Sequence, residues 1–140
     1  MFAGTGGSGV KRMPSAHSLM MSKKCVTCHM YKPEKEVEKT ADAALEKGGH
    51  SFRPDDRVCL KCHEDPKALA AKWREETASM LKQLKALLDE APDKKSKLYK
   101  QVKLNYDLIV ADGGIGLHNL LYAQALLKYS ISSLMGKSAW

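Results

Sequence analysis

The residues with the clearest chemistry are four cysteines and five histidines. The cysteines are Cys25, Cys28, Cys59 and Cys62, in the strings CVTCH (25–29) and CLKCH (59–63). Every cysteine therefore lies in a C-x-x-C-H motif, and each motif ends in its own histidine, His29 or His63. Two thiols three positions apart reach the two vinyl groups of one porphyrin as thioethers. The histidine directly after them then swings under the ring and ligates its iron. The pattern predicts two covalently bound haem c groups, held by Cys25, Cys28 and His29 and by Cys59, Cys62 and His63.

Other uses of paired cysteines fit less well. A zinc site built from two C-x-x-C pairs has a shorter gap than the 30 residues between Cys28 and Cys59. Zinc gives no reason for a histidine after both pairs. A thioredoxin-like pair requires a βαβ setting, and no such alternation is visible. Structural disulfides within adjacent thiols seldom recur with the same trailing histidine.

The sixth coordination position of each iron decides its chemistry. A second strong ligand closes the metal and favours electron transfer, whereas an open position allows substrate to bind. Three histidines remain as ligands: His17, His50 and His118. His17 precedes the first motif by eight residues, His50 follows Gly48-Gly49 and precedes the second, and His118 sits where GGIG meets the last helical stretch. Glycines there let backbone approach a flat ring closely. Met20, Met21 and Met30 are rival ligands near the first motif; bis-histidine ligation is the favoured expectation. Three histidines for two irons leave a surplus, and the residues alone do not choose between His17 and His50.

These ligands must be positioned by the rest of a 140-residue chain, a length suited to one domain with an attachment half (1–66) and a helical half (67–140). Residues 1–15 are glycine-rich and read as an irregular arm. Residues 35–47 suggest a short helix ending at Gly48-Gly49, and 50–56 a loop. After Pro66 the pattern becomes helical. A helix is predicted over 67–91, bounded by Pro66 and Pro92, with Leu69, Trp73, Met80, Leu81, Leu84, Leu87 and Leu88 as its apolar positions. A second runs from 94 to about 110 with a stripe of Leu98, Val102, Tyr106 and Ile109, stopping before Gly113-Gly114. A third spans about 117–134. No run reads as a strand, so the expected fold is mainly α, of multihaem cytochrome type.

Lys and Arg number 23 against 16 Asp and Glu, a formal charge of +7. The basic residues are dispersed rather than gathered, which argues against nucleic acid. They suit redox partner proteins with acidic surfaces, other cytochromes among them. No stretch is long and apolar enough to span a membrane. The stretch MFAGTGGSGVKRMP lacks the apolar region of a signal peptide. Haem c attachment takes place outside the bacterial cytoplasm, so a periplasmic or extracellular chain, trimmed or part of a longer protein, is expected.

The order CVTCHM, GGHSF, CLKCH, a long helix and GIGLHNLLYAQALL resembles the C-terminal part of the multihaem family of ammonia-forming cytochrome c nitrite reductase and hydroxylamine oxidoreductase. The resemblance spans nearly the whole chain but a fraction of a family member, and Gly116 to Ala123 is its most discriminating element. It implies that His118 ligates the iron held by His29. It implies that His50 matches a distal ligand that serves a preceding haem, one absent from this chain. His17 matches an active-site histidine, or has become a ligand. The departures are equally informative: no C-x-x-C-K motif is present, and the upstream haems are missing. The expected function is that of a dihaem electron carrier, alone or in a larger assembly. The alternatives are an oligomer or filament whose surplus histidine ligates a neighbour's haem, and a nitrite, hydroxylamine or peroxide reductase with one open haem.

Overall fold

Apolar residues at helical spacing, interrupted by proline and glycine, produce helices here and no strand among the described residues. The computed structural model describes residues 1–20, 23, 25–31 and 52–136, except for the side chains of 19 and 20. The expected helix over 35–47, the Gly48-Gly49 turn, His50 and Met21 lie outside the described residues. The elements are α1 (Ala16–Met20), α2 (Cys25–His29), a 3-10 turn (Asp56–Lys61), α3 (Pro66–Glu90), α4 (Lys97–Ala111) and α5 (Leu120–Leu134). The fold is mainly α, as the sequence predicts. The chain divides into two compact units: residues 1–16 with 70–140, and residues 17–69. The glycine-rich arm thus belongs with the helical unit rather than with the haem motifs.

In the helical unit, α3, α4 and α5 share one core. It contains Leu84 and Leu88 of α3, Val102 and Ile109 of α4, and Tyr122, Ala123, Leu126, Leu127 and Ile131 of α5. Burial of such side chains drives the packing, at roughly 1.5–3 kcal/mol for each large one. Each helix starts where its sequence offers a cap. Pro66 opens α3 without an amide to lose, and Asp65 accepts from the Ala68 amide. Ser96 accepts from Tyr99 N at 3.1 Å to cap α4, and Asn119 accepts from Tyr122 N at 3.2 Å to cap α5. The expected α5 start near 117 moves to Leu120, because Gly113 to His118 form turns and Asn119 is the cap. Leu98, expected in the α4 stripe, is exposed, and Asn105 is buried there instead.

Asn105 is buried because it ties the arm to the helices. Its Oδ1 accepts from Ser8 N at 2.7 Å, and its Nδ2 donates to Ser8 O and Ser130 Oγ, each at 3.0 Å. Gly7 N donates to the Tyr122 hydroxyl at 2.9 Å beside it. Close approach requires glycine in this arm. A Cβ on Gly9 (φ 77°) would fall 2.0 Å from the Tyr129 ring.

Asn105→Ala leaves the Ser8 amide and carbonyl without their partner and opens a small void. A loss of about 2–4 kcal/mol is expected, measured by urea unfolding followed by helix circular dichroism. The exposed Lys103→Ala is expected to stay within about 0.5 kcal/mol of the parent.

Candidate haem-attachment and ligand sites

The unit of residues 17–69 carries both motifs, and local helix geometry explains how each presents its thiols. Cys25 and Cys28 lie three apart within α2, which puts them on one face, with His29 as the last residue. Cys59 belongs to the 3-10 turn, where residues i and i+3 eclipse, so Cys62 projects from the same edge. The Cys62 and His63 amides both donate to Cys59 O, at 3.1 and 2.9 Å, closing that turn. Its start is capped by Asp55, which is buried and accepts from the Arg57 amide and from the Arg57 guanidinium. The α2 helix packs against the 3-10 turn. The Lys61 ammonium lies 5.7 Å from the centre of the Tyr31 ring, a second link between the motif segments.

Burial governs the thiol environments. Burial, and secondarily the neighbouring Cys25, push the Cys28 thiol up. Burial likewise pushes Cys59 up, with Cys28, Asp56 and Asp55 adding to the effect. None of the four cysteines is in a disulfide.

Each histidine is oriented differently. His29 Nδ1 lies 2.7 Å from the Phe52 carbonyl, and the two rings stack at 4.5 Å and 15°. An Nδ1–H donated to that carbonyl sets the tautomer that ligates through Nε2. Phe52 reaches this position with φ 53°, a left-handed conformation that strains a non-glycine residue. His17 of α1 meets His63 edge-on, ring centres 6.0 Å apart at 77°. With metal–nitrogen bonds of about 2 Å, two imidazoles on opposite sides of one metal have centres about 6 Å apart. Burial first, and the nearby His63 second, lower the His17 pKa and favour the neutral, ligating form.

His118 lies in the other unit, in the turn between α4 and α5. Its Nδ1 is 2.8 Å from Asp112 Oδ2, and the Asp112 side chain is largely buried, at 12% exposure. That hydrogen bond raises the His118 pKa, with burial opposing it. Gly114 leaves room for the pair: a Cβ there would sit 2.9 Å from His118 Nδ1 and 3.3 Å from Asp112 Oδ2. Ile115 is left-handed at φ 47°, unusual for a β-branched residue.

The surroundings of these histidines fit a large flat apolar group. Val26, Met30, Phe52 and Leu60 are exposed along the motif segments, as are Ile115 and Leu121 on either side of His118. Side chains of this kind stay in water only at some cost unless a partner covers them. Haem c, held by the thioethers of each motif, would cover those of the motif segments and supply a reversible one-electron couple. Among the described residues, no three or more His, Cys, Asp or Glu side chains gather as a protein-only metal centre.

Sequence reasoning selected the cysteines and histidines but not Asp55, Phe52 or Asp112. The signal for Asp112 is an acid at the end of one helix, separated from His118 by a glycine-rich turn. The backbone carbonyl of Phe52 leaves no such mark. Met30, a rival ligand, is exposed, and the His50 assignment lies outside the described residues.

No family model and no curated protein matches this chain. Among solved structures, it is similar to the crystal structure of outer cell wall cytochrome OcwA, with a TM-score of 0.73 and 26% identity. The match covers 95% of this chain and 29% of that one, so the chain spans less than a third of that cytochrome's length. Together with the two C-x-x-C-H motifs, the likeness supports the cytochrome c class and covalent haem c for this protein. It does not distinguish the nitrite reductase and hydroxylamine oxidoreductase group within that class.

Asp55→Ala removes the cap of the second motif's turn, worth about 1–2 kcal/mol. Intact-mass analysis after expression with haem maturation is expected to show a larger share of chains carrying a single haem. Peptide mapping should find that haem on Cys25 and Cys28.

Proposed function

We propose that the chain is a dihaem electron-transfer cytochrome in which histidine pairs close both irons. The observation that carries this reading is the edge-on approach of His17 and His63, with ring centres 6.0 Å apart, a spacing that also suits two imidazoles sharing one metal. It favours His17 over His50 as the second ligand of the Cys59–Cys62 haem. For the other haem, the family resemblance assigns His118 to the iron held by His29. The hydrogen bond that His118 Nδ1 makes to Asp112 supports a ligand role, since ligating histidines are held through their second nitrogen in this way.

Closed irons exchange electrons but do not bind small substrates. The packing of α2 on the 3-10 turn within one unit supports two haems close enough to share electrons. The basic surface suits acidic redox partners, other cytochromes among them. The likeness to an outer cell wall cytochrome supports a site of action outside the cytoplasm. No helix among the described residues is long and apolar enough to cross a membrane. The missing C-x-x-C-K motif weighs against the reductase alternative.

Two measurements test the reading. A redox titration of the holoprotein is expected to take up two electrons reversibly. Nitrite, hydroxylamine or peroxide should then leave the oxidation rate of reduced methyl viologen unchanged; rapid turnover of any of them would overturn the carrier reading. Electron paramagnetic resonance of the oxidised His17→Ala variant should show about half the iron converted to high spin. An all-low-spin spectrum would exclude His17 as a ligand.

A further inference from the structure

We infer that Asp112 is a positioning residue that sets the reduction potential of the haem ligated by His118. The inference rests on the ligand role of His118 proposed above and deepens it.

The geometry is specific. Asp112 ends α4, where its amide donates to Leu108 O and Val110 O, so its backbone is held independently of its side chain. The carboxylate oxygen Oδ2 then meets His118 Nδ1 at 2.8 Å, across a turn whose Gly114 leaves space for no side chain. Asn119, the residue after His118, is anchored as well. It caps α5 and donates through Nδ2 to Met13 O at 2.6 Å. The two ends of the turn that carries the pair are thus anchored by hydrogen bonds outside it.

A carboxylate differs from a carbonyl in what it does to a ligating imidazole. A largely buried anion on Nδ1–H draws the proton toward itself and leaves more electron density on Nε2. A more basic ligand stabilises ferric over ferrous iron and lowers the potential. On His29, which serves the same iron in that reading, the Nδ1 partner is the Phe52 carbonyl, a neutral group. The carboxylate is therefore a charged control on one ligand of one haem.

The test compares holoprotein variants by spectroelectrochemical titration, with low-spin resonance spectra to monitor ligation. Asp112→Asn is expected to raise one midpoint and leave the other in place, with both irons low spin. Asp112→Glu, which keeps the charge, should recover much of the shift. His118→Ala, or His118→Met should the first fail to fold, should change the ligation of one iron. If His118 variants alter one iron but Asp112→Asn moves neither midpoint, the Asp112 assignment is overturned and the ligand reading stands. If His118 variants leave both irons with unaltered low-spin spectra, the ligand reading fails and the inference with it.

Discussion

The second nitrogen of an imidazole fixes how the ring is aimed, and in each unit one histidine is held in this way. His29 uses the carbonyl of Phe52, reached through a left-handed residue. His118 uses Asp112, reached across a glycine turn that includes the left-handed Ile115. Among the described residues, these are the only two non-glycine residues with positive φ. Each costs on the order of 1–3 kcal/mol and persists only where its surroundings over-determine it. Strain beside each of two candidate ligands is the pattern expected when backbone is bent to aim a side chain.

The helical unit supplies the rigidity that such aiming needs. The buried residues of α3, α4 and α5 form a small core, and the arm closes over it through Asn105, Tyr122 and Asn119. Asn119 has a double function: it starts α5 and anchors the arm one residue from His118. The core thus holds the two ends of the turn that carries His118. The motif unit is built differently. Its order comes from the Asp55 cap, the Cys59 carbonyl that receives two amides, and the packing of α2 on the 3-10 turn. Thioether bonds to a large flat group would supply the apolar contacts that its exposed Val26, Met30 and Leu60 still lack.

The legible part of the sequence was the part governed by spacing. Cysteines at i and i+3 with a trailing histidine announce their chemistry directly, and leucines at helical spacing between prolines place α3 within a residue of its observed ends. Illegible parts depended on contacts distant in sequence. Asn105 looks like a polar residue on an exposed helix face, and only the arm, 97 residues earlier, explains its burial. Leu98 fits the α4 stripe yet is exposed, because it lies in the first turn of that helix and outside the shared core. His17 and His63 are 46 positions apart, and no local pattern links them; their pairing emerges only once the chain folds. Asp112 was overlooked because a lone acid before glycines reads as an ordinary helix end.

The central claim is that two histidines close each of two covalently held irons. The most direct measurement is the visible spectrum of the dithionite-reduced holoprotein before and after carbon monoxide. The account predicts a low-spin spectrum that carbon monoxide leaves unchanged at both haems. A Soret shift for about half of the haem would show one iron open to a small ligand, and would contradict it.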